Sequence, residues 1–186
     1  MAFMIFLPFL IHQLLINEVL YDTVGKDYGC FVEIIGQPGM SLDGYLLVGI
    51  DGDTGKEYNI IDLSSYKIPQ TGFFVVAQDD RVPNASMVDA KADYQNGPDN
   101  IELRYIDEKV DSVGYGDFSE AIFTGEGNPA FDISGYSIGR RPDGLDSNNN
   151  SLDFVGLAIF SPGAANMPKE VKQAMKIWKW GSIRRD

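Results

Sequence analysis

Cysteine and histidine are almost missing from this chain, which has one of each, Cys30 and His12. A lone cysteine excludes an internal disulfide, and with it the small disulfide-stapled folds. A lone histidine excludes a His-rich metal centre, and the end of an apolar leader is a poor place from which to recruit one into a triad. Basic residues are scarce too: 15 Lys and Arg face 27 Asp and Glu, for a formal charge of -12. Nucleic-acid affinity is built mostly from cations that neutralise phosphates, so no such partner is expected. The opening apolar run, "MAFMIFLPFLI", stops at eleven residues, well short of the ~20 that a membrane-spanning helix needs. No G-x-S-x-G elbow, Walker loop, dinucleotide fingerprint or heptad run occurs. The acidic residues sit mostly in turns, as on a solvated surface, and no catalytic residue stands out.

What remains is an ordinary globular composition, 44% apolar over 186 residues, enough for one domain with a real core. Residues 1–13 form an apolar leader. It resembles the middle of a secretory signal peptide without the basic start or the small-residue cleavage site, and it reads equally as a docked strand. From Leu14 to Phe160 short runs rich in Val, Ile, Tyr and Phe alternate with turn residues. Nine strands are expected: "LLINEVL", "CFVEIIG", "GYLLVGI", "KEYNIIDL", "GFFVVAQ", "NIELRYI", "KVDSVGYG", "GYSIGRR" and "DFVGLAIF". "QPG", "DGDTG", "IPQTG", "NGPDN" and "RPDG" punctuate them, and "DGDTG" reads as a hairpin connection. The spacing points to an all-β sandwich or barrel. Cys30, inside an apolar run, is expected to be a small buried hydrophobe.

Composition changes after "SPGAAN". Residues 167–186 carry six Lys or Arg against two acids, which leaves the preceding body at a net -16. Val171, Ala174, Met175 and Trp178 recur at helical spacing, so a short basic amphipathic helix is expected, or else a frayed tail. Such a segment could dock on the acidic body or touch an anionic membrane surface.

The stretch "RRPDGLDSNNNSLDF" gathers Asp146, Asn148, Asn150 and Asp153 in one loop. Their spacing suits oxygen ligands converging on a calcium ion. The glycine and the distant glutamate of an EF-hand are missing at the required offsets. Asn, Asp and Ser also stabilise long turns with no ion at all, so both readings stand. Two glycosylation sequons, at Asn84 and Asn149, bear on the chain only if it is exported in a eukaryote.

In order, the motifs resemble those of the lamin tail domain family. "LLINEV" is similar to its first strand, "FVEI" to its Trp-Ile-Glu-Leu strand and "LDGYLL" to its Leu-x-Gly-Trp-x-Leu element. "IPQTGFFVVAQDD" resembles its Pro-Gly turn and apolar strand, and "NGPDNIELRYIDEKVDSVGYGD" its paired strands. "GYSIGRRPDGLDSNNNSLDF" with "SPGAAN" resembles the closing segment. The likeness runs from about Leu14 to Asn166, with Phe31 and Tyr45 where tryptophan is common and Pro98 where glycine is usual. It implies an immunoglobulin-like β-sandwich of about nine short strands, with a short C-terminal helix or tail. It also implies a non-catalytic binding or attachment module, secreted or at the cell surface, with a protein partner. The alternatives are a calcium-dependent adhesion or carbohydrate-binding module and an accessory domain of a larger hydrolase. No heptad run occurs in these 186 residues, so a filament-forming lamin is not expected. Glu18 and Glu33 are expected to be structural, either paired with Arg140 or Arg141 or facing solvent, and Phe31 and Tyr45 to be core aromatics.

Overall fold

The computed structural model describes residues 14–118, 121–167 and 170–171. The leader 1–13, with His12, and the tail beyond Val171 lie outside the described residues. All nine expected strands are present: β1 (Leu15–Leu20), β2 (Phe31–Ile35), β3 (Tyr45–Asp51), β4 (Glu57–Asp62), β5 (Phe73–Ala77), β7 (Asp99–Tyr105), β8 (Glu108–Tyr115), β9 (Ser137–Arg140) and β10 (Phe154–Leu157). Two short ones join them, β6 (Met87–Val88) and β11 (Glu170–Val171). One sheet runs β11-β10-β9-β1-β2-β5-β6 and the other β4-β3-β7-β8. Every pairing within them is antiparallel except β5 with β6. The chain is an all-β sandwich.

Alternation builds the core. Val32 and Ile34 of β2 and Phe74 and Val76 of β5 pack with Leu47, Ile61, Ile101, Leu103 and Val113 of the second sheet. β1 breaks strict alternation, because Ile16 and Val19 both enter this core. The register shift between Ile16 and Glu18 opposite β2 accounts for it: a bulge adds one residue and re-aims those around it. In the β3–β4 connection the Asp51 carboxylate accepts from the Asp53 and Thr54 amides, both at 2.9 Å. Gly55, at φ 67, supplies the left-handed position.

Two local expectations change. Glu170 and Val171 pair with Leu157 and Gly156 as strand, so no helix includes Val171; a sheet edge with free main-chain groups overrides weak helical spacing. Asn150–Asp153, read as loop or turn, forms one helical turn, α1, capped by the Asn149 side chain.

Leu103→Ala, in the closed core, is expected to cost about 2–5 kcal/mol in urea denaturation. Ile106→Ala, at a residue 60% exposed on the β7–β8 turn, should stay within about 0.5 kcal/mol.

Candidate functional site

The residues singled out from the sequence gather around β1. Asn17, Glu18 and Glu33 are fully buried on the outer face of the seven-stranded sheet, beneath the loop from Asp143 and the closing segment 161–166. The Asn17 amide donates to Glu33 Oε1 at 3.0 Å and to Asp143 Oδ1 at 2.9 Å, and its carbonyl oxygen accepts from the Gly144 amide. Glu18 accepts from the Ser137 hydroxyl, and from the Ser161 amide and hydroxyl at 3.2 and 3.0 Å. Gly163 N–H donates to Glu33 Oε2 at 2.7 Å. Asn166 donates to the Arg140 carbonyl at 2.9 Å and, from its main chain, to Asp143 at 3.1 Å.

Neither acid takes an arginine partner or faces solvent, contrary to both expectations. Each is satisfied by hydroxyl and amide donors of the closing segment and its neighbours. Glu18 and Glu33 stand directly opposite each other across β1 and β2, where like charges repel. Burial pushes the Glu33 carboxyl up to about 8, against the hydrogen bonds from Asn17 and Gly163 and with the charges of Glu18 and Asp143 adding to it. Glu18 is raised as well, first by burial.

Arg140, at the end of β9, is also fully buried. Its Nε donates to the Ile16 carbonyl at 2.9 Å, Nη1 to the Leu145 carbonyl at 2.6 Å and to Asp153 at 3.1 Å, and Nη2 to Asp111 at 2.8 Å. Asp146 lies 3.6 Å and Glu126 3.9 Å from the guanidinium, whose flat face covers the Phe154 ring at 4.7 Å. Asp111 belongs to the second sheet and accepts from the Ile16 amide of the first at 2.6 Å. This pair therefore clamps the two sheets together.

The four candidate calcium ligands are divided by this arrangement. Asp146 and Asp153 face Arg140, so the positive charge opposite them is a guanidinium. Asp153, fully buried, also accepts from the Ser147 hydroxyl and amide at 2.6 and 3.0 Å. Asn150 turns the other way: its carbonyl oxygen accepts from the Gly114 and Glu126 amides and its nitrogen donates to the Ser112 carbonyl. Asn148 is exposed in a left-handed conformation at φ 56. Among the described residues no group of three or more His, Cys, Asp or Glu is arranged to hold a metal ion.

Sequence reasoning missed a third cluster. Buried Asp99 of β7 accepts a hydrogen bond from the Tyr58 hydroxyl, and burial pushes its carboxyl up to about 7. Tyr115 donates to the Gln95 carbonyl at 2.8 Å beside it and stacks on Tyr21 at 3.9 Å. No local signal marks Asp99, since Tyr58 of β4 and Tyr115 of β8 reach it only through the strand order of the second sheet. Cys30 is buried as expected, its thiol pushed up to about 12 by burial and the surrounding aspartates.

On the same outer face the sheet carries a second apolar cluster of Leu20, Phe31, Val75, Ala77 and Val82. Phe31 is thus buried as expected, but outside the main core. Tyr45 is half-buried against the main core and lies 4.9 Å from the exposed ring of Tyr105. The second cluster opens into a groove of about 320 Å³, rimmed by Tyr28, Phe160 and Pro162, with Arg81 at its side. Comparison with protein-family models, with curated proteins and with solved structures finds no match.

Two expectations follow. Arg140→Met leaves Asp111 and Asp153 buried without their cation, a loss of about 3–5 kcal/mol by chemical denaturation. The carboxyls of Glu33, Asp99 and Glu126 are held at about 8, 7 and 7, above their unfolded values near 4. Acids raised on folding bind more protons folded than unfolded, so stability falls as pH rises from ~4 to ~8. Melts should weaken from pH 5.5 to pH 8.5, and Glu33→Gln should flatten the upper part of that slope while lowering stability at pH 5.5.

Proposed function

We propose that the chain is a non-catalytic, lamin-tail-like module for binding or attachment, working at the cell surface or outside the cell with a protein partner. One observation carries this reading. The segments that bear the family resemblance, "INE", "FVEI", "IGR", "LDF" and "SPGAAN", meet in one buried hydrogen-bonded lattice. An ordered set of motifs that converges this way is what a shared fold requires. A run of unrelated polar turns would have no reason to bury the same residues together.

The lattice also supports the non-catalytic part of the reading. General acid–base chemistry needs a carboxyl within hydrogen-bond reach of a substrate. Glu18, Glu33, Asp111 and Asp153 are fully buried, and their oxygens are taken by donors of their own chain. Recognition then falls to exterior surfaces, as in other sandwich modules whose framework is rigid and whose loops vary. The alternative, a calcium-dependent adhesion or carbohydrate-binding module, would use Asp146 and its neighbours at the loop surface.

The test is interferometry of the intact chain against a defined panel of matrix and cell-surface proteins and against a glycan array, with millimolar calcium and then with chelator. Saturable protein binding that persists in chelator is the expected outcome. Calcium-dependent glycan binding that Asp146→Asn abolishes would select the adhesion alternative. Turnover of chromogenic ester or glycoside substrates would overturn the non-catalytic reading.

A further inference from the structure

The groove beside β1 exposes apolar side chains on the exterior of an acidic domain. Its floor, Leu20, Phe31 and Val82, is buried from below by the second apolar cluster. Its rim is open, with Tyr28 46% and Phe160 43% exposed. Val24, Tyr136 and Ile159 carry the exposed apolar surface onward along the same loops. A Cβ on Gly135, next to Tyr136, would lie 3.1 Å from Val24, and the β9–β10 pairing brings Tyr136 to the start of the 158–160 stretch. Contiguous exposed apolar surface rimmed by polar residues marks an interaction site. At about 320 Å³ the groove is at the small end for a ligand pocket. That size suits one or two large side chains of a polypeptide.

We infer that this groove seats the basic, tryptophan-bearing segment 172–186 of the same chain. Both tryptophans of the protein, Trp178 and Trp180, fall in that segment, with Ile177 and Ile183 beside them. A tryptophan is the side chain that gains most from such a groove, because it buries a large area and keeps one polar edge for the rim.

Charge selects the same occupant. The segment carries five Lys and Arg against Asp186 alone, while residues 1–171, with ten bases and 26 acids, stand at -16. The loops framing the groove hold Asp22, Asp27, Asp79 and Asp80 against Lys26 and Arg81. Arg81 is already bound to Asp79 at 2.6 Å, so the net field at the rim is negative. Lys and Arg placed around a docked indole would meet that field, and complementary charge fixes register and suppresses wrong partners.

The connection is long enough. Val171 sits opposite Gly156 in β11, and Phe160 is four residues beyond Gly156 along the neighbouring strand. The antiparallel pairing sends the chain away from the groove at first, so it must turn back. Trp178 follows Val171 by seven residues, a span of up to about 25 Å when extended, and the four residues from Gly156 to Phe160 cover less than that.

The experiment uses the intact chain, because its only indoles lie in the segment and tryptophan emission therefore reports on nothing else. The expected result is emission blue-shifted from that of a synthetic 172–186 peptide, with acrylamide quenching several-fold weaker. Phe160→Asp, at a rim position, should return quenching to the peptide level, as should Tyr28→Ser if the first variant proves unstable. Ile106→Asp, on the other sheet, should change nothing. Peptide-like quenching in the unaltered chain overturns the inference, and so does shielding that neither rim variant relieves. Shielding lost on dilution would overturn it by placing the segment in the groove of a second copy. Shielding that develops only with phosphatidylserine vesicles would hand the segment to a membrane surface.

Discussion

The guanidinium of Arg140 is the point on which the two sheets depend. Removing a cation from water costs several kcal/mol even after relaxation, and this one is wholly buried. The fold offsets that cost by bringing acceptors from four places: the Ile16 carbonyl of β1, Asp111 of β8, the Leu145 carbonyl of the following loop and Asp153 of α1. Each is usable only if its segment is correctly placed. Strand β1 must carry its bulge, β8 must lie across the sandwich, and the loop must close through the helical turn at Asn150. A buried ion pair is weak evidence of net stability. It is better evidence of specificity, since a shifted register would leave two carboxylates and a guanidinium buried and unmatched.

The outer face is organised by the same requirement. Glu18 and Glu33 would be tolerable on an open sheet, where water solvates both. Here the closing segment covers them, so it must replace that water, and the Ser161 and Gly163 amides do so. The like-charge pair is thereby turned into a fastener: the segment that buries the acids is held by them. Holding it costs a raised carboxyl affinity for protons, which ties the stability of the module to pH. Each carboxyl oxygen of Glu18 and Glu33 is met by a donor of the chain, although buried, raised acids are often a mark of active sites. Burial and charge supply the shift in both cases, and only access to a substrate separates them.

How much of this could be read from the sequence follows from the range of each interaction. The nine longer strands were legible because β-branched and aromatic runs, bounded by Gly, Pro, Asn and Asp, act within a few residues. Strands β6 and β11 were not, since two residues carry no periodicity and are defined only by their partners. The Asn149 cap is a local signal, and a closer reading of "NNNSLD" as a capped turn could have found α1. In the sequence Arg140 reads only as a conceivable partner for Glu18 and Glu33, yet its own partners lie up to 124 residues away. Charge complementarity alone pointed to the nearest available acids in the motif. Hydrogen-bond supply decided otherwise, because the closing segment brings enough amide and hydroxyl donors to satisfy both glutamates, and Arg140 is used up by the aspartates. The loop of Asp146, Asn148, Asn150 and Asp153 is ambiguous in sequence for a related reason: spacing shows which oxygens can converge, but not that Asp146 and Asp153 face Arg140 while Asn150 turns away.

This division of labour also explains the charge of the chain. Its buried acids are spent on the fold, so the large net negative charge belongs mainly to turns and loops, where it contributes solubility and a field. A field of one sign favours cationic, apolar-anchored segments over neutral ones near the exposed groove at Tyr28 and Phe160. The protein's own most basic stretch has both properties and is tethered beside the sheet, where its effective concentration is far above that of any free competitor. An external partner that docks at this groove must therefore outcompete the tethered segment, whereas one that docks on the Tyr45–Tyr105 side of the second sheet need not. On this reading the two faces of the sandwich are not equivalent for recognition, and the tail sets which of them is open.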